Sequence, residues 1–473
     1  MFVGRKKELQ AMQNLYEKPG FGMMVIYGRR RIGKSTLIKE FIKDKKTIFY
    51  TATKVGKDRN LELFAKQAVA ALDPDFSNVA FVSLEDIFDF ITKKLPKEKM
   101  ILVVDELPYW AEKDESLLSV MQKYIDTEWA DKNLFVILCG SALSFMENKV
   151  LSEKSPLFGR RNSQIKLEAF NYKDSARFVP NYSLEEKAVC YGITGGVPKY
   201  LALIDGQKSM EDNIKQLFFH TDGYLYDETR NLLTQEFMDI TMVNNIIEQI
   251  ASGQNTLNLI AEKVKEKPAT VLYSIEKLVE VGLVEKKNCM TEEKNRKKTQ
   301  YVLKDQMFQF WYEFIPKATS VIEMGQGDLY YEKAVKPQLH SYMGSVFEIM
   351  CRYYTLEQGI CGKFGNFITR AGSWWGAETL EMEDGRKYQQ STDIDVVAVS
   401  DIDKTAVVGE CKFKNEKIGK EIYETLLRRS RLVSGKYRII KYLLFSLSGY
   451  TSWFDEIKDD HLLKLTLEDL YQE

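Results

Sequence analysis

Gly28-Arg29-Arg30-Arg31-Ile32-Gly33-Lys34-Ser35 reads G-x-x-x-x-G-K-S, and its flanks decide the fold. In front lies Gly22-Met23-Met24-Val25-Ile26-Tyr27, a short apolar run of buried-strand type. Behind lies Thr36-Leu37-Ile38-Lys39-Glu40-Phe41-Ile42, which has helical periodicity. A strand, a glycine-containing loop and a helix in that order let the backbone N–H groups from Gly28 to Thr36 wrap a polyphosphate at a helix N-terminus. Lys34 can reach the outer phosphates and Ser35 can ligate Mg²⁺, with Arg29, Arg30, Arg31, Ile32 and Gly33 completing the cradle. A second stretch agrees. Met100-Ile101-Leu102-Val103-Val104-Asp105-Glu106 is an apolar strand ending in two carboxylates. Asp105 suits the Mg²⁺ shell, and Glu106 suits polarising an attacking water. The two stretches together predict an NTP·Mg²⁺ site.

Around the loop, strands and helices alternate. A helix is predicted over 8–17, a strand over 47–53, helices over 60–72 and 84–94, a strand over 101–104, a helix over 117–127 and strands over 134–140 and 165–167. Such alternation implies a parallel sheet with helices on both faces. From 183 to 217 the pattern turns helical and reads as a lid over the nucleotide. Three helices at 243–251, 257–264 and 269–281 are then followed by strands at 282–287 and 299–303 around a polar, charged stretch. That is a winged helix-turn-helix pattern. Its recognition-position helix offers Lys277 but also Glu276 and Glu280, and no arginine, which is poor for reading bases. The basic hairpin suits phosphate contact. DNA, a protein partner and a purely architectural role all stay open for this segment. The last part begins near Tyr331 with an apolar helix, then strands at 366–370, 393–399, 406–413 and 440–447 and a helix at 420–432. The expected domains are therefore a P-loop NTPase over 1–225 with its helical lid at about 168–225, a winged helix over 226–318, and an α/β domain over 331–473.

Composition narrows the function. Lys and Arg number 67 against 68 Asp and Glu, so overall charge selects no polyanion and any nucleic-acid surface must be a local patch. No apolar run approaches the roughly 20 residues of a membrane span, so no membrane partner is expected. The N-terminal residues lack a secretory pattern, and the six cysteines form no C-x-x-C pair. A cytoplasmic protein with reduced thiols is the expectation. His220, His340 and His461 lie far apart, so a metal should be Mg²⁺ or Mn²⁺ on carboxylates.

The order of motifs resembles the archaeal-type ATPase family, a member of the AAA+/STAND group of P-loop NTPases. The resemblance rests on Phe2-Val3-Gly4-Arg5 with Glu8-Leu9, the phosphate loop, Val104-Asp105-Glu106, Leu138-Cys139-Gly140-Ser141, Leu157-Phe158-Gly159-Arg160-Arg161 and Tyr191-Gly192-Ile193-Thr194-Gly195-Gly196-Val197-Pro198-Lys199-Tyr200. The C-terminal part resembles the DUF234 domain often fused to this ATPase. The resemblance implies that Ser141 sits at a sensor position able to feel the γ-phosphate. It also implies that Arg160 or Arg161 serves as an arginine finger, in cis or toward a neighbouring subunit of a homo-oligomer.

Asp393-Ile394-Asp395 lies in one C-terminal strand and Glu410-Cys411-Lys412 ends the next. Residues i and i+2 of a strand share a face, so Glu410 and Lys412 project together and Asp395 can join them. Two carboxylates can hold Mg²⁺ or Mn²⁺, and the lysine can orient or deprotonate a water attacking a phosphodiester. This is the pattern of the PD-(D/E)xK nuclease superfamily, of restriction-endonuclease-like fold. Glu348, on the preceding helix, matches the acidic residue that many members add there. Lys414, Lys417, Lys420, Arg428, Arg429 and Arg431 follow and suit tracking a phosphate backbone. Two functional readings result: an ATP-driven switch controlling a nuclease-like, DNA-acting domain, or a signalling ATPase whose other domains only bind protein or DNA.

Overall fold

The computed structural model describes residues 2–75, 81–382 and 385–472. Two compact units emerge, one of Met1–Phe170 with Val197–Leu203, the other of Asn171–Gly196 with Ile204–Glu473.

In the first unit β1 (Gly22–Tyr27), β2 (Thr47–Thr51), β3 (Met100–Asp105), β4 (Leu134–Gly140) and β5 (Ser163–Lys166) form a parallel sheet in the order β2-β3-β4-β1-β5. β1, β3 and β4 are buried along their whole length, which is why they read as unbroken apolar runs. Their alternate residues serve opposite faces. Met23, Val25 and Tyr27 join a core with Phe64, Phe88, Trp110 and Trp129, whereas Met24 and Ile26 pack with Leu37, Ile38, Phe41 and Phe135. The helix Leu84–Lys94 begins at a Ser83/Asp86 capping box, so its predicted start is set by local hydrogen bonds. The helix predicted over 117–127 runs as α from Leu117 to Tyr124 and loosens into one π turn, Ile125–Trp129.

In the second unit the helix Leu184–Thr194 precedes three helices, Ile240–Ala251, Leu257–Val264 and Pro268–Glu280, and an antiparallel hairpin of β6 (Val284–Lys287) and β7 (Gln300–Leu303). The aromatic helix Gln306–Phe314 and the long helix Leu339–Ile360 follow. Next come β8 (Arg370–Glu381), β9 (Lys387–Ser400), β10 (Thr405–Lys412), the helix Lys420–Ser430, β11 (Arg438–Ser446) and β12 (Leu462–Thr466). Their order is β12-β11-β10-β9-β8, antiparallel from β8 to β10 and parallel from β10 to β12.

Three expectations change. The segment 168–225 is not a single lid on the first domain: only Val197–Leu203 stays with the first unit, and its flanks belong to the second. The cause is hydrogen bonding and aromatic packing. The Tyr172 hydroxyl donates to Leu470 O at 2.6 Å, the Tyr342 hydroxyl donates to Gly192 O at 2.7 Å, and Tyr172 packs edge-on against Tyr353 and Tyr471. The strand predicted at 366–370 starts at Arg370 and runs to Glu381, through Gly372, Trp374, Trp375 and Gly376, whose mixed sizes hide the strand period. β12 and the helix Leu467–Tyr471 were not expected. Tyr172→Phe removes a buried donor from Leu470 O and should lower the stability of the second unit by about 1–3 kcal/mol. Unchanged denaturant midpoints would show that this bond does not hold the 171–196 segment.

Among the described residues no helix is long and apolar enough to cross a membrane, and all six cysteines are free thiols.

Candidate functional site

The carboxyl ends of parallel strands are where α/β sheets bind ligands, and here the sheet order sets β4 between β1 and β3. β1 leads into Gly28, whose φ is +152°; a Cβ there would fall 2.4 Å from Leu167 O, so only glycine fits. Gly33 caps the helix Lys34–Ile42 with φ 84° and, having no side chain, makes no capping hydrogen bond to that N-terminus. Its first-turn N–H groups are left for an anion. Lys34 is buried, and Nζ donates to Gly28 O at 2.8 Å and Arg29 O at 2.9 Å. Burial pushes its pKa down against the nearby charges of Glu106 and Asp105. A desolvated cation beside an open helix N-terminus suits a polyphosphate.

Four residues are then linked in series by hydrogen bonds. The Ser35 hydroxyl donates to Asp105 Oδ2 at 2.7 Å. Asp105 Oδ1 accepts the Glu106 N–H at 3.0 Å. Glu106 has φ 52°, a left-handed conformation that turns its carboxylate toward β4. There Oε2 accepts the Ser141 hydroxyl at 2.8 Å and the Ser141 N–H at 3.2 Å. The hydroxyl and carboxylate oxygens of Ser35 and Asp105 are hard donors that suit Mg²⁺.

Other parts of the first unit hold the loop. The Lys199 N–H donates to Arg31 O at 3.3 Å, and Arg31 Nη1 donates to the Tyr200 hydroxyl at 3.5 Å. The Gly-Gly-Val-Pro turn thus leads into a segment seated on the loop. Arg5 Nη2 donates to Ile32 O at 3.4 Å and Glu168 O at 2.6 Å, with its guanidinium 4.1 Å over Phe170. Arg30 Nη2 donates to the Tyr109 hydroxyl at 2.8 Å. Sequence reading did not find Tyr109; nothing in Leu107-Pro108-Tyr109-Trp110 marks a tyrosine aimed at the loop. Thr36 lies in the first turn of the loop helix.

Arg160 and Arg161 separate. Arg160 is bidentate to Asp126, Nε at 2.7 Å and Nη2 at 2.6 Å, and its Nη1 donates to Pro156 O and Phe158 O. Arg161 Nη1 is buried with no hydrogen-bond partner among the described residues.

The second unit brings Asp395, Glu410, Lys412 and Glu348 into one acidic site. β9 and β10 pair antiparallel with Gly409 opposite Val396, which sets Asp395 beside the end of β10. Asp395 Oδ2 accepts the Cys411 N–H at 2.8 Å. Lys412 Nζ donates to Glu410 Oε1 at 2.7 Å, while Glu410 Oε2 is buried without a partner among the described residues. Glu348 accepts Arg352 Nη1 at 3.0 Å, and the same nitrogen donates to Asp395 O at 2.9 Å. Burial, then the charges of Glu410 and Glu348, push the Asp395 carboxyl up to about 8. Burial lowers Lys412, but Glu410 outweighs it and holds the ammonium above its ordinary value. The buried Glu410 Oε2 without a partner, near a carboxyl that resists ionisation, is a costly arrangement in a folded chain. The set is sparse: no group of three or more His, Cys, Asp and Glu among the described residues is disposed to hold a metal.

The basic residues after this motif are partly committed. Arg428 Nε donates to the buried Glu378 at 3.0 Å, and Arg429 Nη1 donates to Asp393 O at 3.1 Å. Lys414, Lys417 and Arg431 are exposed.

Comparison with known proteins assigns the class. Residues 2–204 match the model of an ATPase domain predominantly from Archaea, and residues 311–422 match that of archaeal and bacterial proteins of unknown function, DUF234. An uncharacterized protein of Methanocaldococcus jannaschii is 29% identical over 435 residues, 92% of each chain. An uncharacterized ATP-binding protein of that organism is 44% identical over 46 residues, 10% of this chain and 78% of the relative. A Walker-type ATPase of Pyrococcus abyssi has a TM-score of 0.49 at 18% identity, over 66% of this chain and 96% of its own. The first unit, with its phosphate loop and paired carboxylates, is a P-loop ATPase. The chain belongs to the archaeal-type ATPase family and carries the DUF234 domain behind the ATPase.

Proposed function

We propose that the chain is an ATP-hydrolysing switch whose nucleotide state controls a metal-dependent, phosphodiester-acting site in its C-terminal domain. The observation that carries the ATPase half is the hydrogen-bonded series Ser35, Asp105, Glu106 and Ser141 at the strand ends. In this reading Lys34 leaves Gly28 O and Arg29 O for the phosphates. Ser35 and Asp105 hold Mg²⁺, which neutralises phosphate charge when bound. Glu106 accepts a proton from the attacking water, and Ser141 orients its carboxylate. The test is ATP binding and phosphate release by the full chain, with Lys34→Ala and Glu106→Gln beside it.

Arg161 is the better finger, because Arg160 is spent on Asp126. Arg161→Ala should lower kcat by about 10³-fold where the finger acts, with ATP affinity little changed. Arg160→Ala should lower thermal stability and leave kcat within a few-fold. The opposite pattern would return the role to Arg160.

A second reading, a signalling ATPase whose other domains only bind partners, is favoured by the internal pairing of Arg428 and Arg429 and by the Lys277–Glu280 ion pair on the recognition-position helix. Incubation of full chain with DNA and Mn²⁺ separates the two: cutting that Glu410→Gln removes supports the first, and binding without cutting supports the second.

A further inference from the structure

The hairpin that a winged helix would extend toward DNA is built instead into the C-terminal sheet. Cys289 and Met290 are buried in one core with Trp374, Ile394 and Val397. The Met290 N–H donates to Ser373 O at 3.0 Å, and a Cβ on Gly372 would fall 2.7 Å from Met290 Cγ. The Trp375 N–H donates to Cys289 Sγ at 3.4 Å, and Lys298 Nζ donates to Trp375 O at 3.0 Å. Glu293 pairs with Arg370, and Lys436 donates to Thr291 O. All of these hairpin residues lie in the connection between β6 and β7, so that connection is fastened to the sheet and holds the end of β6 there.

That position carries Lys287, the last residue of β6. Its ammonium lies 5.7 Å from the centroid of the Trp375 ring. The charges around it come from every neighbouring element: Glu285 on its own strand, Glu348 and Arg352 on the long helix, and Asp395 on β9. Glu348 and Asp395 belong to the acidic site. Its neighbour Lys286 is exposed. Desolvating a lysine is costly, and here Arg352 adds repulsion; burial and that charge together push Lys287 down to about 8. Geometry sets that cation at the site: Trp375, against which the ammonium lies, pairs with Asp393 of β9, two residues before Asp395, and Arg352 brings a second positive charge onto Glu348 and Asp395, so a phosphate entering there meets two cations.

We propose that Lys287 is a substrate-binding residue of the C-terminal site, contacting a phosphate of the nucleic-acid strand to be cut. The site is then assembled from the hairpin as well as the sheet. The proposal rests on the phosphodiester reading above.

The test uses the full chain and 5′-labelled DNA and RNA oligonucleotides, with Ca²⁺ for binding and Mn²⁺ for cutting. Lys287→Met keeps the aliphatic stem on Trp375 and removes the charge. It should weaken binding about tenfold and reduce the slope of log affinity against log salt by about 1. Lys287→Arg should restore both, and Lys286→Met should change neither. Should Lys287→Met fail to fold, Lys287→Arg and Lys287→Gln are read against each other in the same way. Wild-type binding and cutting by Lys287→Met, with cutting lost in Asp395→Asn, would overturn the role of Lys287 and leave the site reading standing. Equal weakening by Lys286→Met and Lys287→Met would reduce the hairpin to diffuse charge and overturn it too. A wild-type chain that neither binds nor cuts either oligonucleotide would overturn the site reading and the proposal with it.

Discussion

Lys34→Ala is expected to raise the ATP dissociation constant by about 100-fold or more and to abolish phosphate release. The magnitude follows from what the side chain does. A charge-assisted hydrogen bond is worth about 1.5–3 kcal/mol, and Lys34 supplies at least two donors to the loop or its ligand. Truncating one partner of a desolvated charge pair costs about 2–5 kcal/mol, which is roughly 30- to 5,000-fold in affinity. Glu106→Gln should behave differently. It retains the Ser141 contact through its amide oxygen and leaves the phosphate cradle intact, so ATP binds with near wild-type affinity while kcat falls by about 10²- to 10³-fold. Equilibrium binding of labelled ATP together with single-turnover hydrolysis reads both variants. Turnover at the wild-type rate by Glu106→Gln would remove Glu106 from the role of base.

On the proposed phosphodiester reading, Asp395→Asn and Glu410→Gln should each lower metal-dependent cutting by about 10³-fold or more, since each would take away an oxygen donor for the cation. Asp395 also gives the site a pH signature. Its carboxyl is pushed up to about 8 by burial and by Glu410 and Glu348. A cation must displace that proton, so Mn²⁺ affinity should rise roughly tenfold per pH unit up to about 8 and then level. The metal-free chain should respond in the opposite sense. The folded state keeps a proton that the unfolded chain releases near pH 4, so stability declines as pH rises from about 4 toward 8. Asp395→Asn should flatten both curves. Calorimetric Mn²⁺ titrations and thermal melts across pH 5.5–9 check this; a wild-type affinity independent of pH would show that Asp395 is not a ligand.

Where the sequence could be read and where it could not has a physical basis. The phosphate-loop strand, β3 and β4 were legible because parallel strands buried on both faces have no polar residues to blur them. The helices at 84–94 and 257–264 were legible because their ends coincide with capping or turn residues. The shared face of Glu410 and Lys412 follows from the two-residue period of a strand, whereas the place of Asp395 depends on the pairing of β9 with β10, which that period does not give. Three-dimensional pairings left no such trace. Arg160 and Arg161 are adjacent in sequence, and only Asp126, far upstream, tells them apart. Tyr109 meets Arg30 across the loop without any local pattern. The hairpin reads as a polar, solvent-facing wing, because Cys289 and Met290 are a minority among its charges and their burial depends on a Gly372 notch many residues later.

The interleaving of the two units has a consequence for synthesis of the chain on the ribosome. The first unit needs Val197–Leu203 to be complete, yet residues of the other unit emerge just before that segment. Tyr172 must wait for Leu470, 298 residues later, before its hydroxyl finds its acceptor. At about 5–20 residues per second that delay is roughly 15–60 s. Throughout it the aromatic surface around Tyr172 and Tyr191 is exposed while its ATPase neighbour is already forming. Chaperone dependence and aggregation in overexpression should therefore concentrate in this early, waiting stretch.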